Sequence, residues 1–386
     1  MKRILILSSL LLMSVLQGVC QDDLLAKMDI SLLTCESGDE LYTTFGHTAI
    51  RLKNDSIGID RVYNYGVFDF NTSYFYVKFL RGKLPYRLAV ANTQRFLANY
   101  DAEERSMYEQ KLNLTPTQRI ALVRLLMENS KKENREYKYD FFFDNCTTRA
   151  IDAIDSVTGT IEYASDPVDI TFRQMLKENL QGMPWSEFGI DLIIGAVADQ
   201  KTTRKDQHFL PLYLYRDMSR TTVVNDKMRQ NLVLAEQQLL DHEQRRQERS
   251  RKVTNWPLVF IGILVLLEFL LVVTGPRRAV QLYDKIWFWL LFLMGVVMAI
   301  MWWGTDHLAT KDNWNLLWAS PLLGPFLWLR SRRVRVVLAS LVGVGCLLTM
   351  VNSLFTFLPQ YFLPAFGLLA LITVIKLVRW YRHSTV

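Results

Sequence analysis

The chain has 386 residues, 50% of them hydrophobic, and a formal net charge of +7 at pH 7. This length leaves room for more than one packed unit, whereas four cysteines without a CxxC pair exclude a disulfide framework and a cysteine metal site. The positive charge does not indicate nucleic-acid binding, because many Lys and Arg residues lie in short loops beside apolar stretches, where membrane topology accounts for them. We therefore expect no nucleic-acid partner, no metal and no cofactor.

The first twenty residues have the pattern of a secretory signal. Lys2 and Arg3 precede an apolar run from Ile4 to Leu16, and Gly18-Val19-Cys20 offers a small-x-small cleavage site. A lipid-anchored Cys20 is the alternative, although the residues before it match the lipoprotein triplet poorly. Either interpretation predicts a signal over residues 1–20 and export of the domain that follows.

Residues 21–214 are predicted to form an exported α+β domain. Thr48–Leu52 and Arg61–Tyr65 alternate apolar and polar side chains around the turn-forming Lys53–Ser56, which is typical of a β-hairpin. Apolar residues at helical spacing predict a helix over Thr115–Lys132, with Thr115 as N-cap and Pro116 in the first turn.

Two positions in this domain suggest thiol chemistry. His47 follows Gly46 and opens a predicted strand, and Cys146 precedes a predicted helix from Thr147 to Ser156. A cysteine at a helix N-terminus faces unpaired backbone N–H groups, which lower the pKa of its thiol and can also stabilise an oxyanion. A histidine can accept the thiol proton and return it when a third polar group orients its ring.

Asn64, on the second strand of the hairpin, is the candidate for that third group. Asp60 is the reserve, and Asn145 is a further orienting or oxyanion candidate. Other interpretations stay open, because Cys146 could instead be a buried structural residue or form a disulfide with Cys35.

Residues 215–253 are rich in Gln, Glu, Arg and Leu, and Leu232, Ala235, Leu239 and His242 recur at helical spacing. This pattern predicts an amphipathic helical connector. Its basic end would either be solvated or lie on anionic lipid headgroups.

The last region, residues 254–380, is predicted to be an all-α membrane domain with five spans and a cytoplasmic tail at residues 381–386. Four apolar stretches are long enough to cross a bilayer, and the one near Asn315–Leu329 is shorter and contains Pro321 and Pro325, which predicts a kinked or re-entrant span. With the preceding domain outside, most basic loop residues fall on the cytoplasmic side. The five stretches are Trp256–Thr274, Ile286–Trp303, Asn315–Leu329, Val334–Phe357 and Tyr361–Val378.

Three motifs carry a family resemblance: F-G-H-T-A-I-R-L at Phe45–Leu52, V-Y-N-Y-G-V-F-D-F at Val62–Phe70, and D-N-C-T-T-R at Asp144–Arg149. They resemble the permuted papain-like, NlpC/P60-related thiol enzymes that include the lecithin:retinol acyltransferase group. With the membrane region, which contributes Gly304–Leu308 and Asn315–Pro321, nearly the whole mature chain resembles the Lnb family of Bacteroidota lipoprotein N-acyltransferases.

The resemblance implies an inner-membrane, multi-pass enzyme with a periplasmic N-terminal domain. Its acyl donor would be a membrane phospholipid and its acceptor the N-terminal amine of a diacylglyceryl lipoprotein, with Cys146 as nucleophile, His47 as base and Asn64 as orienting group. Asp306 and His307, in an outer loop of the membrane domain, could bind a headgroup or the incoming amine. The alternatives are a membrane-tethered cysteine peptidase or amidase acting on peptidoglycan, and a non-catalytic receptor or scaffold.

Overall fold

The computed structural model describes residues 22–163, 169–225, 228–249, 251 and 253–384, so the predicted signal at residues 1–20 lies outside the described residues. These residues form two compact units. The first unit takes the described residues up to Ser73, from Leu84 to Val168 and from Thr203 to Arg249. The second takes Tyr74–Lys83, Asp169–Thr202 and the described residues after Arg249.

The elements alternate along the first half of the chain, and helices dominate the second half. The strands are β1 Asp29–Cys35, β2 His47–Asn54, β3 Ile59–Val67, β4 Pro85–Asn92, β5 Met107–Leu112, β6 Glu136–Lys138, β7 Thr160–Glu162, β8 Thr222–Asn225, β9 Met228–Asn231 and β10 Val233–Leu240. The α-helices are α1 Phe75–Leu80, α2 Thr93–Ala102, α3 Pro116–Asn129, α4 Cys146–Thr158, α5 Phe172–Asn179, α6 Pro184–Ile193, α7 Arg204–Gln207, α8 Pro211–Met218, α9 Glu243–Arg249, α10 Trp256–Thr274, α11 Arg277–Trp303, α12 Leu323–Trp328, α13 Arg332–Phe355 and α14 Pro364–Ser384.

The first unit is an α+β domain built on a seven-stranded antiparallel sheet with strand order β10-β5-β1-β2-β3-β4-β6. Helices α3 and α4 pack together, and α4 lies against β2 and β3. Their shared core contains Leu32, Ile50, Leu122 and Ile154 among other buried apolar side chains. The strands β7, β8 and β9 form a second, smaller sheet. The predicted α+β class is thereby confirmed.

The local elements predicted around the hairpin and the first long helix are also present. Strands β2 and β3 pair antiparallel, with Ile50 opposite Tyr63. Helix α3 starts with a capping box in which the Thr115 hydroxyl accepts from the Gln118 backbone N–H and the Gln118 side chain accepts from Thr115 N–H. Two N–H groups that the helix cannot pair internally are thus satisfied.

The predicted helical connector over residues 215–253 is wrong. Its middle forms the strands β8, β9 and β10, and only its flanks are helical, in α8 and α9. Strand formation here is explained by pairing with β5. Strand β10 pairs antiparallel with β5, with Gln110 opposite Glu236, and Gln110 Nε2 also donates to a Glu236 carboxylate oxygen at 3.0 Å. A partner strand far away in the sequence thus overrides local helical spacing.

The arginines of α9 bind carboxylates of the first unit rather than remaining free for lipid headgroups. Arg249 and Arg245 both pair with Asp39, at 2.8 and 2.9 Å, and Arg246 pairs with Glu36 at 3.2 Å. The alternative that this basic end lies on anionic lipid is therefore not supported for these three side chains.

The second unit is helical and contains the apolar region. Among the described residues, four helices are long and apolar enough to cross a membrane: α10, α11, α13 and α14. The predicted third span is not a span-length helix, because residues Trp314–Leu317 form a 3-10 turn and α12 covers only Leu323–Trp328. Pro321 and Pro325 lie in this stretch, where a missing N–H and a fixed φ break continuous helix.

Four charged side chains pair with one another among these helices, and two of them, Lys376 and Glu268, are fully buried. Lys376 binds Glu268 at 2.5 Å and Asp284 at 2.9 Å, and Arg379 binds the same two carboxylates at 2.6 and 2.7 Å. Two positive and two negative charges balance, which offsets part of the cost of removing each from water.

Residues 169–202 belong to this helical unit although they precede the first span. The Asn313 amide donates to the carbonyls of Leu192 and Ile193, both at 2.9 Å, and Asn315 donates to Asp191 O at 3.2 Å. The last carbonyls of α6 have no N–H group of a further helical turn to pair with, and these amides donate to them instead.

Candidate active site

The site begins where the β2–β3 ladder ends. His47 is the first residue of β2, and the ladder to β3 starts only at Ile50. Gly46, just before it, has φ +78°, and a Cβ there would lie 2.7 Å from Cys35 O. Only glycine fits this turn without strain, so the Gly-His pair of the sequence motif fixes where the imidazole enters the domain.

Asn64 faces that imidazole. The distance from His47 Nε2 to Asn64 Oδ1 is 2.5 Å, and since the amide oxygen can only accept, Nε2 carries the proton. The β3–β4 register shifts between Asn64 and Val67, and such a bulge redirects the side chains beside it. With Nε2 occupied, Nδ1 is the ring nitrogen left for a second partner.

That second partner is the thiol of Cys146, the first residue of α4. Its side chain hydrogen-bonds the His47 ring, and the backbone N–H of Thr48 donates to the same sulfur. The Thr147 hydroxyl lies 3.7 Å from Sγ. The residue is only 8% exposed. The three residues His47, Asn64 and Cys146 thus lie together although up to 99 positions separate them.

The electrostatics of the pair favour a thiolate and an imidazolium. Burial by itself raises the pKa of the Cys146 thiol, but the charge on His47 and the hydrogen bonds from His47, Thr48 N–H and Thr147 outweigh it and lower the pKa from 9.0 to about 7. Burial by itself would lower the pKa of His47, but the Cys146 charge and the bonds to Cys146 and Asn64 raise it above 6.5. About half of the thiol is therefore ionised at neutral pH, and the thiolate is the form in which a cysteine reacts as a nucleophile.

Asn145 holds the helix start rather than facing the sulfur. Its Oδ1 accepts from the N–H groups of Thr147 and Thr148 at 2.8 and 3.0 Å, while its Nδ2 donates to Phe141 O and Phe209 O, both at 2.9 Å. The side-chain amide is fully used in capping α4. Both amide N–H groups are therefore occupied and none is left for an oxyanion, whereas an orienting role for Asn145 through this cap stays a prediction.

Asp60, the reserve orienting group, is also bound elsewhere. Its carboxylate binds the Arg51 guanidinium at 2.7 and 2.8 Å and accepts from the Thr93 hydroxyl at 2.5 Å. The Arg51 hydrogen bond is the main cause that lowers the pKa of this carboxyl. Asp60 holds the far end of the hairpin, whereas Asn64 contacts the histidine.

Two residues beside the sulfur were missed from the sequence. Gly66 has φ +83°, and a Cβ there would lie 3.2 Å from Cys146 Cβ and 3.8 Å from the Tyr137 hydroxyl. That hydroxyl is buried, and the backbone of Gly66 is its hydrogen-bond partner. The glycine at the end of the V-Y-N-Y-G motif was the available signal, whereas nothing local marks Tyr137.

Apolar side chains flank the site. Tyr42, before Gly46, and Phe70, after Gly66, are 64% and 60% exposed and meet edge to face at a centroid distance of 6.1 Å. Phe143, three residues before Cys146, is also exposed.

The alternative disulfide is not formed, because Cys35 and Cys146 are both free. Within the described ranges no cluster of His, Cys, Asp and Glu could hold a metal ion.

Asp306 and His307 belong to the helical unit, where they contact the segment that contains α1. The Asp306 N–H donates to Arg81 O at 3.0 Å, and His307 Nε2 donates to Phe79 O at 2.9 Å. Their proposed contact with substrate stays a prediction.

Comparison with known families gives two matches along the chain. Residues 22–178 match the Lnb N-terminal periplasmic domain, and residues 248–385 match the Lnb transmembrane domain. The chain belongs to the Lnb family. This Lnb chain is thus a membrane protein with a periplasmic N-terminal domain and a helical membrane domain. No curated protein and no solved structure matches it.

Proposed function

We propose that this Lnb protein is a thiol-dependent lipoprotein N-acyltransferase of the inner membrane, with several spans. One observation carries the proposal: the Cys146 thiol, at a helix N-terminus, is hydrogen-bonded to a histidine whose other ring nitrogen is bound to Asn64. Nucleophile, base and orienting group in this order form a thiol transfer site. The Lnb family membership supports a substrate in the membrane.

In the first half-reaction the Cys146 thiolate attacks an ester carbonyl of a phospholipid. The tetrahedral oxyanion collapses to a thioester, and the C–O bond to the glycerol breaks. The His47 imidazolium gives its proton to the leaving alkoxide, which departs as a lysophospholipid. The Thr48 N–H, which already points at the sulfur, and the O–H of Tyr137, whose oxygen accepts from the Gly66 backbone N–H, are suited to donate to the oxyanion.

In the second half-reaction the α-amino group of a diacylglyceryl lipoprotein attacks the thioester. Neutral His47 takes a proton from the nitrogen, an amide forms, and the C–S bond breaks to restore the Cys146 thiolate. Protons and charge balance over the cycle, and no cofactor is required. Asn64 holds the imidazole for both steps.

The apolar side chains around the site support a lipid donor over a peptidoglycan substrate. A glycan–peptide substrate is matched by polar, hydrogen-bonding surfaces, whereas Tyr42, Phe70 and Phe143 expose aromatic rings on the loops that flank His47, Gly66 and Cys146. Exposed apolar groups in contact are the usual signature of an apolar ligand or a membrane.

The test is to trap the acyl-enzyme. Purified full-length protein in nanodiscs with acyl-labelled phospholipid, without acceptor, should form a hydroxylamine-labile adduct that a diacylglyceryl peptide discharges. Cys146→Ala should abolish the adduct, and Cys346→Ala, which removes a buried thiol from α13, should retain it. Label that persists on Cys146→Ala, or release of muropeptides from peptidoglycan by the wild type without any thioester, would overturn the proposal.

A further inference from the structure

A short stretch between β3 and β4 exposes several apolar side chains side by side. Residues Tyr74–Lys83, which include α1, are here called the aromatic-basic segment. Tyr74 and Tyr76 are 81% and 77% exposed, and Val77, Phe79 and Leu80 are exposed as well. Single exposed apolar residues are normal, but a contiguous set marks a surface that contacts a partner or a membrane.

The charges of the segment favour a lipid partner. It carries Lys78, Arg81 and Lys83 and no acidic residue. Arg81 and Lys83 are exposed. Aromatic and aliphatic side chains next to Lys and Arg are the composition of helices that lie in the bilayer interface, where the rings enter the acyl-chain boundary and the cations meet phosphates. A protein partner would need an acidic surface to match these cations, and nothing in the composition of the segment favours such a surface over lipid phosphates.

The segment is continuous with the membrane domain. It belongs to the helical unit and is hydrogen-bonded through Phe79 O and Arg81 O to His307 and Asp306. A Cβ at Gly82 would lie 3.2 Å from His307 N, so the two backbones are in close contact.

The residues it contacts follow directly on the end of α11, a helix long and apolar enough to cross a membrane. That helix ends in Trp302 and Trp303, whose rings stack at 4.6 Å. Tryptophans concentrate where a span leaves the hydrocarbon core. Since the domain before the first span is periplasmic, this end of α11 lies at the outer leaflet.

These observations together point to an in-plane membrane anchor. We infer that the aromatic-basic segment lies in the outer-leaflet interface, with Tyr74, Tyr76 and Val77 among the acyl chains and its cations at the phosphates. Six residues join the segment to β3, the strand that carries Asn64 and Gly66, so a segment held in the bilayer would tether that strand to the source of donor phospholipid. This second part rests on the proposed acyltransferase function.

Bilayer contact is tested first, without reference to activity. A nitroxide is attached at Tyr76→Cys in full-length Cys146→Ala protein, in nanodiscs of phosphatidylethanolamine and phosphatidylglycerol. Ile57→Cys is the matched control, an exposed apolar position at the turn that leads into β3. The label at 76 should relax mainly with oxygen, and the label at 57 mainly with a water-soluble nickel chelate. Chelate access at 76 equal to that at 57, or protection from both relaxants, would overturn the inference.

Donor delivery is tested with two acyl donors. Tyr76→Asp combined with Val77→Asp should slow acylation of Cys146 by bilayer phospholipid about tenfold or more, while acylation by a soluble short-chain nitrophenyl ester stays within about twofold of wild type. Ile57→Asp should change neither rate. Loss of both donors in the double variant would show a general effect on folding and contradict delivery. If the wild type reacts with neither donor, the acyltransferase proposal fails, while the nitroxide result still decides bilayer contact.

Discussion

Replacing His47 by alanine should move the titration of Cys146 upward. In the wild type, burial raises the thiol pKa, but the His47 charge and its hydrogen bond lead the effects that lower it to about 7. Without the imidazole, burial persists and the two largest opposing effects vanish. We therefore expect the pKa to return to 9.0 or above, so that the thiolate disappears at neutral pH.

The size of the effect follows from the thiolate fraction. At pH 7 a pKa of about 7 leaves about half of the thiol ionised, whereas a pKa of 9.0 leaves about 1%, roughly a fiftyfold loss. A thiolate of higher pKa is intrinsically more nucleophilic, with a Brønsted slope of about 0.4–0.5. A rise of two pKa units therefore raises the rate constant of the thiolate about six- to tenfold. The alkylation rate at pH 7 should therefore fall about five- to eightfold, and the midpoint of the pH profile should rise by about two units or more.

The assay is the rate of iodoacetamide alkylation of the full-length protein between pH 5 and pH 10. Cys35 does not interfere near neutral pH, because burial raises the pKa of its thiol to about 12, and the Cys146→Ala background gives any residual labelling. A midpoint that stays near pH 7 in His47→Ala would refute the reasoning, since it would assign the lowered pKa to the helix N-terminus instead of the imidazole.

Three further substitutions test other parts of the structure. Asn64→Asp places a carboxylate against the imidazole, which stabilises its protonated form, so alkylation of the nucleophile should extend below pH 7; an unchanged or higher midpoint contradicts this. Gly66→Ala should cost about 1–2 kcal/mol in denaturant unfolding for its positive φ and also slow thioester formation, whereas Gly58→Ala, at φ +66° with nothing within 4 Å, should cost stability alone. Lys376→Met should lower the free energy of unfolding of the protein in detergent by about 3–5 kcal/mol, because Arg379 alone then faces the carboxylates of Glu268 and Asp284 and one buried negative charge is left uncompensated; recovery by the added Glu268→Gln change is expected.

The parts of the fold that were predictable from the sequence have local causes. The β2–β3 hairpin follows from alternation around a turn, α3 from the Thr115 capping box, and the long apolar helices from runs of side chains that water excludes. The pairing of His47 with Cys146 follows from chemistry and from the family resemblance. A cysteine before a helix has its thiol pKa lowered, and a histidine at the start of a strand can accept the thiol proton.

Long-range pairing was not predictable in the same way. Strand β10 forms because β5 presents an open edge more than a hundred residues earlier, and Ala235 and Leu239 carry no signal of that edge. Asp60 and Asn64 are both polar residues near one turn, and only the register of β3 decides which one meets the imidazole. Tyr137 lies beside Gly66 for tertiary reasons alone.

The division of the chain into units has a practical consequence for biochemistry. Each unit is assembled from separate stretches, and residues 169–202 belong to the helical unit although the stretches before and after them belong to the first unit. A water-soluble fragment that ends before the first span would keep the buried Arg173–Asp191 ion pair but lose the membrane helices of the same unit. It would also leave the α6 carbonyls without the Asn313 amide that donates to them. Biochemical work on this protein therefore calls for lipid or detergent from the start, because no single cut separates the two units.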